Sequence, residues 1–410
     1  MNPAPQKQIA IFSIPVLVAA LGYFVDIYDL LLFGIIRQPS LASLGLSPEE
    51  IDSKGLFIIN VQMIGMLIGG IVSGVIGDKK GRLSVLFGSI LLYSLANIAN
   101  GFVQNVGQYA TCRFIAGLGL AGELGVGITL VSELLPKEKR GIATSLVAGI
   151  GLSGAILAYF MKQNFDWRIC YFIGGGLGLL LLITRIGVFE SGMFNQIKKE
   201  EVEKGNFFML FTNRDRFMRY IKCILIGFPT WFVIGILVSF SNKFALAFGI
   251  TEKIDTGKSI MFAYAGISIG DILIGLLSQV LKSRKNALYI FYAITAVGMY
   301  LFFFHLYGGT ASRLYWACAL LGFGTGFWAI FVTIGAEQFG TNLRATAATT
   351  IPNMVRGSLV LITAIFTALQ GNLSYANAAI VTGAIVMAVA ISATFFSRET
   401  FGKDLNYLEK

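Results

Sequence analysis

Charge is what this chain of 410 residues has little of: Asp, Glu, Lys and Arg make up 13% of it, against roughly 25% in soluble globular proteins. A soluble enzyme and a nucleic-acid binder both fit that deficit poorly. Four cysteines (Cys112, Cys170, Cys223 and Cys318) show no CxxC spacing. They read as small apolar residues rather than as a disulfide framework. The lone histidine, His305, gives no relay or metal cluster. No GxxxxGK[ST] or HExxH occurs, and the GxSxG match at Gly266–Gly270 lies inside an apolar span rather than at a strand-to-helix turn, so neither ATP hydrolysis nor zinc or serine hydrolase chemistry is expected. The sequence calls for no cofactor and no metal, and is not that of an enzyme.

What is present is hydrophobic length. Hydrophobic residues make up 55% of the chain, in recurrent runs of about 20, each enough to cross a hydrocarbon layer about 30 Å thick. The 48 glycines suit close packing of membrane helices. Twelve spans are predicted, at 11–36, 55–77, 83–103, 108–132, 142–162, 168–188, 220–246, 259–281, 286–307, 313–336, 345–369 and 373–396. The apolar run from Ile9 is too long for a cleaved signal peptide. With the N-terminus placed inside, 21 basic residues fall on the inner side and eight on the outer, while Arg113, Arg185 and Arg356 lie within spans. By the positive-inside rule both termini are cytoplasmic. The net charge of +10 is therefore a topology signal, and no nucleic-acid partner is implied.

The longest polar interruption lies between spans six and seven. It divides the chain into a first half (1–189), a cytoplasmic linker (190–219) and a second half (220–410). Gly122, Glu133 and Arg140 recur as Gly326, Glu337 and Arg344, each pair 204 positions apart. The fold class expected is an all-α membrane protein of two pseudo-symmetric six-helix halves. That is a transporter architecture, with the solute near mid-membrane between the halves.

Specific residues carry a family resemblance across nearly the whole chain. Gly74-Val-Ile-Gly-Asp78-Lys-Lys-Gly81-Arg82 resembles the loop signature of the major facilitator superfamily. Arg113-Phe-Ile-Ala-Gly117-Leu-Gly119-Leu-Ala-Gly122 is similar to its RxxxGxGxG pattern. Gly22-Tyr-Phe-Val-Asp26-Ile-Tyr28-Asp29-Leu, with Trp231 and Trp167-Arg168, looks like the phosphate:proton and metabolite:proton symporter branches. The second-half copy of the loop signature, at Gln279–Lys285, lacks the acidic residue, which implies an asymmetric gate. The resemblance implies gating residues Asp78, Arg82, Glu133 and Arg140, with Glu337 and Arg344 as the second-half counterpart. Asp78 would pair with Arg140 in the outward-facing state and cap the start of span eleven. The resemblance also implies a monomer.

Ionisable groups inside spans are costly and are functional candidates by default. Asp26, Asp29, Arg113, Glu123, Asp271 and Arg356 qualify. Four acids against two bases cannot neutralise one another pair by pair, so at least one acid spends time protonated. Asp26 and Asp29, three residues apart, share a helix face. Asp29 is the first candidate to exchange a proton against Arg113, with Asp26 second and Glu123 the alternative. Equal depth suggests an Asp271–Arg356 pair, Arg356 meeting an anionic group of the solute. Tyr23, Trp231 and Asn353 lead the uncharged cavity candidates, with Asn60, Gln62, Asn242 and Trp328 beside them. The expected function is import of a small organic anion with protons by alternating access, in the lipid bilayer of a bacterial inner membrane. Proton antiport, facilitated diffusion of a neutral solute such as a sugar, and a non-transporting receptor remain as alternatives.

Overall fold

The computed structural model describes residues 13–136, 139–184 and 204–409. The start of the first expected span, Arg185, the boundary at 189 and the linker up to residue 203 lie outside the described residues. Among those described there is no strand, and twelve helices are long and apolar enough to cross a membrane. In chain order they are α1 (Ile14–Ser43), α2 (Pro48–Lys80), α3 (Arg82–Asn100), α4 (Val106–Leu134), α5 (Arg140–Asn164) and α6 (Trp167–Thr184). The second half supplies α7 (Arg214–Val238), α8 (Thr256–Val280), α9 (Arg284–Phe304), α10 (Ala311–Gln338), α11 (Arg344–Gln370) and α12 (Tyr375–Phe395). All twelve expected spans are present. Arg37, placed in an outer loop from sequence, lies in α1, which continues past Pro39 to Ser43.

Short polar residues set where these helices begin. Ser47 and Glu50 form a reciprocal capping box at α2, with Pro48 in the first turn. Asn105, Asp255, Ser283, Thr310 and Ser374 each accept a backbone N–H at the start of α4, α8, α9, α10 and α12. Such caps satisfy N–H groups that a helix start leaves unpaired.

Several spans are interrupted. The two pieces of α4 are Val106–Leu120 and Glu123–Leu134, and those of α10 are Ala311–Gly324 and Trp328–Gln338. The breaks contain Gly122 and Gly326, members of the 204-residue repeat. α5 and α11 break at Ser153 and Ser358. α7 passes through Phe228–Phe232 into a π-helical stretch, Val233–Val238.

α1, α4, α7 and α10 are the most enclosed spans, while α2 and α6 are the least. Val280, Leu180, Val360 and Leu361 are exposed apolar side chains on the outside of the bundle, as a lipid-facing surface requires. The halves meet along α2 with α11 and α5 with α8. A Cβ on Gly74 would stand 2.7 Å from the Thr346 Cα, so only glycine permits that approach.

Candidate functional site

Three polar groupings occupy the bundle. The first joins α1 to α4. The Arg113 guanidinium donates to Asp29 Oδ1 from Nη1 at 3.2 Å and Nη2 at 3.1 Å, and to the Asp29 carbonyl at 3.4 Å. It also donates to Asn97 Oδ1 on α3 and lies 4.9 Å from the centre of the Tyr171 ring. Asp29 and Arg113 are both fully buried, and Asp29 Oδ2 has no hydrogen-bond partner. Asp26, one turn before Asp29, is buried too. Glu123 opens the second piece of α4 and accepts from the Ser89 hydroxyl at 3.2 Å. It belongs to the interior of the first half rather than to the Asp29–Arg113 pair.

The second grouping surrounds a central cavity of ≈ 20 Å³. Tyr23 and Ile27 of α1, Trp231 of α7, Tyr264 of α8, Trp328 of α10 and Arg356 of α11 line it. The volume admits about one water, so the cavity is closed in this conformation. Here the expected Asp271–Arg356 pair is not made. Asp271 Oδ1 instead accepts the Ala329 N–H at 2.9 Å, because the break in α10 leaves unpaired N–H groups beside it. Arg356 donates to Asn353 Oδ1 at 2.9 Å and lies 5.6 Å from the Trp328 ring centre. Among the described residues no carboxylate is within ion-pair distance of Arg356. Asn353 in turn donates to the Ala121 carbonyl at the break in α4, at 3.2 Å. It therefore orients Arg356 while bridging the halves, and is not itself in the cavity lining. Asn60, Gln62 and Asn242 are not in that lining either.

The third grouping closes the face of the bundle where the described chain begins and ends. Asp78 accepts the Ala345 N–H at 3.1 Å, the Thr346 N–H at 2.8 Å and the Thr346 hydroxyl at 2.7 Å. It thereby caps α11 where the helix dipole favours a negative charge. Arg82 forks onto Glu133 at 2.8 and 3.1 Å and lies 3.4 Å from Asp78. Arg344, from the other half, donates to Glu133 at 2.9 Å. The expected Asp78–Arg140 contact is absent. Arg140 donates to the Ser132 carbonyl at 2.7 Å and the Lys403 carbonyl at 3.1 Å, because the start of α5 lies against Arg284, not against Asp78. Glu337 pairs with Arg284 at 3.1 Å rather than with Arg344.

Sequence reasoning missed Asn97, Tyr264 and Arg284. Arg284 was findable, since it stands to α9 and Glu337 as Arg82 stands to α3 and Glu133. A neutral Asn or Tyr within an apolar run carries no comparable signal. Among the described residues no group of His, Cys, Asp and Glu suited to a metal occurs.

A family model of the Major Facilitator Superfamily matches residues 19–363. The niacin transporter NiaP of Acinetobacter baylyi is 28% identical over 374 residues, covering 81% of each chain. The benzoate transport protein of the same organism is 28% identical over 203 residues, covering 47% of this chain and 42% of its own. The solved structure of the proton:xylose symporter XylE superposes with a TM-score of 0.74 at 17% identity, covering 97% of this chain and 98% of its own, a likeness of fold. Family match, twelve spans and two-half architecture agree: this chain belongs to the major facilitator superfamily, and is a multi-pass membrane transporter rather than an enzyme.

Proposed function

We propose that this transporter moves a small organic carboxylate, one bearing an aromatic or otherwise apolar ring, together with protons. The observation that carries this reading is Arg356, a guanidinium at the central cavity with no acidic partner among the described residues and with Trp328, Trp231, Tyr23 and Tyr264 around it. A planar guanidinium binds a carboxylate through two charge-assisted hydrogen bonds, and aromatic walls suit a flat ring. Niacin and benzoate, named for two relatives, have that chemistry. A fully hydrated phosphate fits these walls less well, so the branch of the family favoured is the metabolite:proton one.

Asp29 is the proton carrier, with Arg113 as its partner. Ionised, its carboxylate is held by the guanidinium. Protonated, it releases Arg113 to Asn97 and the Tyr171 face, and Oδ2 is the oxygen open to the proton. Asp26 is the second candidate, and Glu123, which accepts from Ser89, the alternative.

The cavity opens only when the halves part, which is alternating access. The Asp78–Arg82–Glu133–Arg344 cluster and the Glu337–Arg284 pair, with Arg140 on the tail, form the closed inner gate. The basic bias of the loops puts this face, and both termini, in the cytoplasm. The bacterial sources of the relatives support an inner-membrane location, and the family resemblance supports a monomer.

The test is solute-triggered acidification inside dye-loaded proteoliposomes. Nicotinate and benzoate are expected to acidify the lumen, phosphate and xylose not, with Asp29→Asn moving fewer protons per solute than wild type. Uptake of labelled nicotinate with no proton movement in wild type would overturn the coupling. Xylose uptake that competes with neither acid would overturn the substrate class.

A further inference from the structure

We propose that Asp271 is a second proton-binding site of this transporter, coupled to the solute through the first turn of the second piece of α10; the inference rests on the reading of Arg356 as the solute's anchor. It begins with how closely α8 approaches the break in α10. A Cβ on Gly326 would lie 2.7 Å from the Gly270 Cα and 2.9 Å from the Asp271 nitrogen. Backbone therefore meets backbone there, and Asp271 is delivered to the freshly exposed N–H groups of Trp328 and Ala329. One carboxylate oxygen, Oδ1, accepts from Ala329. The other, Oδ2, has no partner, and the residue is fully buried.

Among the described residues no cation forms an ion pair with Asp271. α5 meets this stretch of α8 with Gly149 and Ser145, α9 with Phe291, and α10 with backbone, none of which is charged. The titratable group facing it is Tyr23 of α1, whose own unpartnered hydroxyl also feels Arg356 and Asp26. Tyr23 thus feels both Arg356 and Asp271. The N–H groups of Trp328 and Ala329 are what favour an ionised Asp271, against the cost of burial without a cation. A solute carboxylate seated on Arg356 moves the Trp328 turn and loosens those donors, and Asp271 then takes a proton from the bulk. The link is structural. Trp328, first residue of the piece that Asp271 holds by its N-terminus, packs on the Arg356 guanidinium. The charge on Asp271 and the shape of the solute's wall therefore change together.

The experiment uses purified full-length protein in weakly buffered solution with a pH dye, titrated with nicotinate and with benzoate. Wild type takes up protons as solute binds. Asp271→Asn, whose side-chain oxygen can still accept the Ala329 N–H, is expected to bind both acids yet take up one proton fewer per protein, with a flatter pH dependence of Kd. Asp271→Glu keeps the uptake. Infrared difference spectra on nicotinate binding are expected to show an acid carbonyl band that is lost in the Asn variant and shifted in the Glu variant, so the Glu variant decides the matter if the Asn variant does not fold. Proton uptake and carbonyl bands unchanged in Asp271→Asn, or unshifted in Asp271→Glu, would overturn the inference. The two proton sites fail separately. Loss of all uptake in Asp29→Asn with wild-type uptake in Asp271→Asn removes Asp271 and leaves the proposed function standing, whereas the reverse removes Asp29 alone.

Discussion

At the scale of residues, two arginines of like burial do opposite work. Arg113 is paired with Asp29, Asn97 and the Tyr171 ring, while Arg356 has one neutral amide and one indole. The difference is one of supply. Each hydrogen bond to a charged group contributes about 1.5–3 kcal/mol, and Arg356 has such bonds still to make. Arg356→Lys keeps the charge and loses the fork, and nicotinate Kd by calorimetry should weaken roughly tenfold or more, since about 1.4 kcal/mol is a factor of ten. Unchanged affinity would remove Arg356 from the solute site. Asp29 and Arg113 were legible because a charge inside an apolar run stands out and helix rise converts position into depth. The Asp271–Arg356 contact expected from the same depth argument fails because depth says nothing of rotation about the bundle axis. Nor does it foresee that a helix break offers Asp271 backbone donors.

At the scale of elements, the breaks in α4 and α10 decide where the polar groups act. Span positions follow from hydropathy and caps: nine of the twelve expected spans lie within four residues of the helices, while the first, second and seventh miss an end by up to eight. The breaks leave a fainter trace, in the repeated Gly122 and Gly326. Gly326→Ala would force its new methyl to within 2.7 Å of the Gly270 Cα and 2.8 Å of the Ile267 carbonyl, where overpacking costs about 1–3 kcal/mol. The variant should melt several degrees lower in detergent and bind nicotinate more weakly, since the Trp328 turn moves with it. Gly176, which has nothing within 4 Å of an added Cβ, supplies the control: Gly176→Ala should melt as wild type does. The π-helical stretch after Trp231 has no counterpart in hydropathy, because α and π turns bury the same apolar residues.

At the scale of the whole molecule, the closed face bearing Asp78 and Glu133 is held by charges from both halves and by the chain's own tail. Residues 397–409 lie across it. Glu409 accepts from Arg219 at 2.9 and 3.0 Å, the Leu405 carbonyl receives Arg344, and the Lys403 carbonyl receives Arg140. Removing one partner of a buried ion pair costs about 3–5 kcal/mol. Glu133→Gln, which neutralises the acid shared by Arg82 and Arg344, should therefore shift the population toward opening on this face. Faster amide exchange at residues 345–351 is the expected readout. Exchange unaltered from wild type would show that the cluster does not set the equilibrium. Glu399 anchors the tail to the start of α9. Burial works against its charge, yet the Ser283 hydroxyl and the N–H groups of Phe401, Arg284 and Lys285 hold its carboxyl below the usual Glu range. The stabilisation it adds is complete above the unfolded value of about 4.3 and is lost as pH falls through the lower folded value. Tail protection should accordingly stay constant across neutral pH and disappear only in stronger acid.

What the sequence by itself determined is what local physics writes into it. Long apolar runs, basic loops, glycine spacing and stranded charges established a twelve-helix transporter of two related halves and nominated the groups of its interior. Only the tertiary structure decided which of those groups meet. It turned Asp271 away from Arg356 toward the start of a broken helix, and left Asp78 on its expected cap of α11 while sending Arg140 to the Ser132 carbonyl and a carbonyl of the tail. Pairing inside a helical bundle depends on rotation and on breaks in the helices. Both are settled by packing between segments far apart in the chain, which no local pattern records.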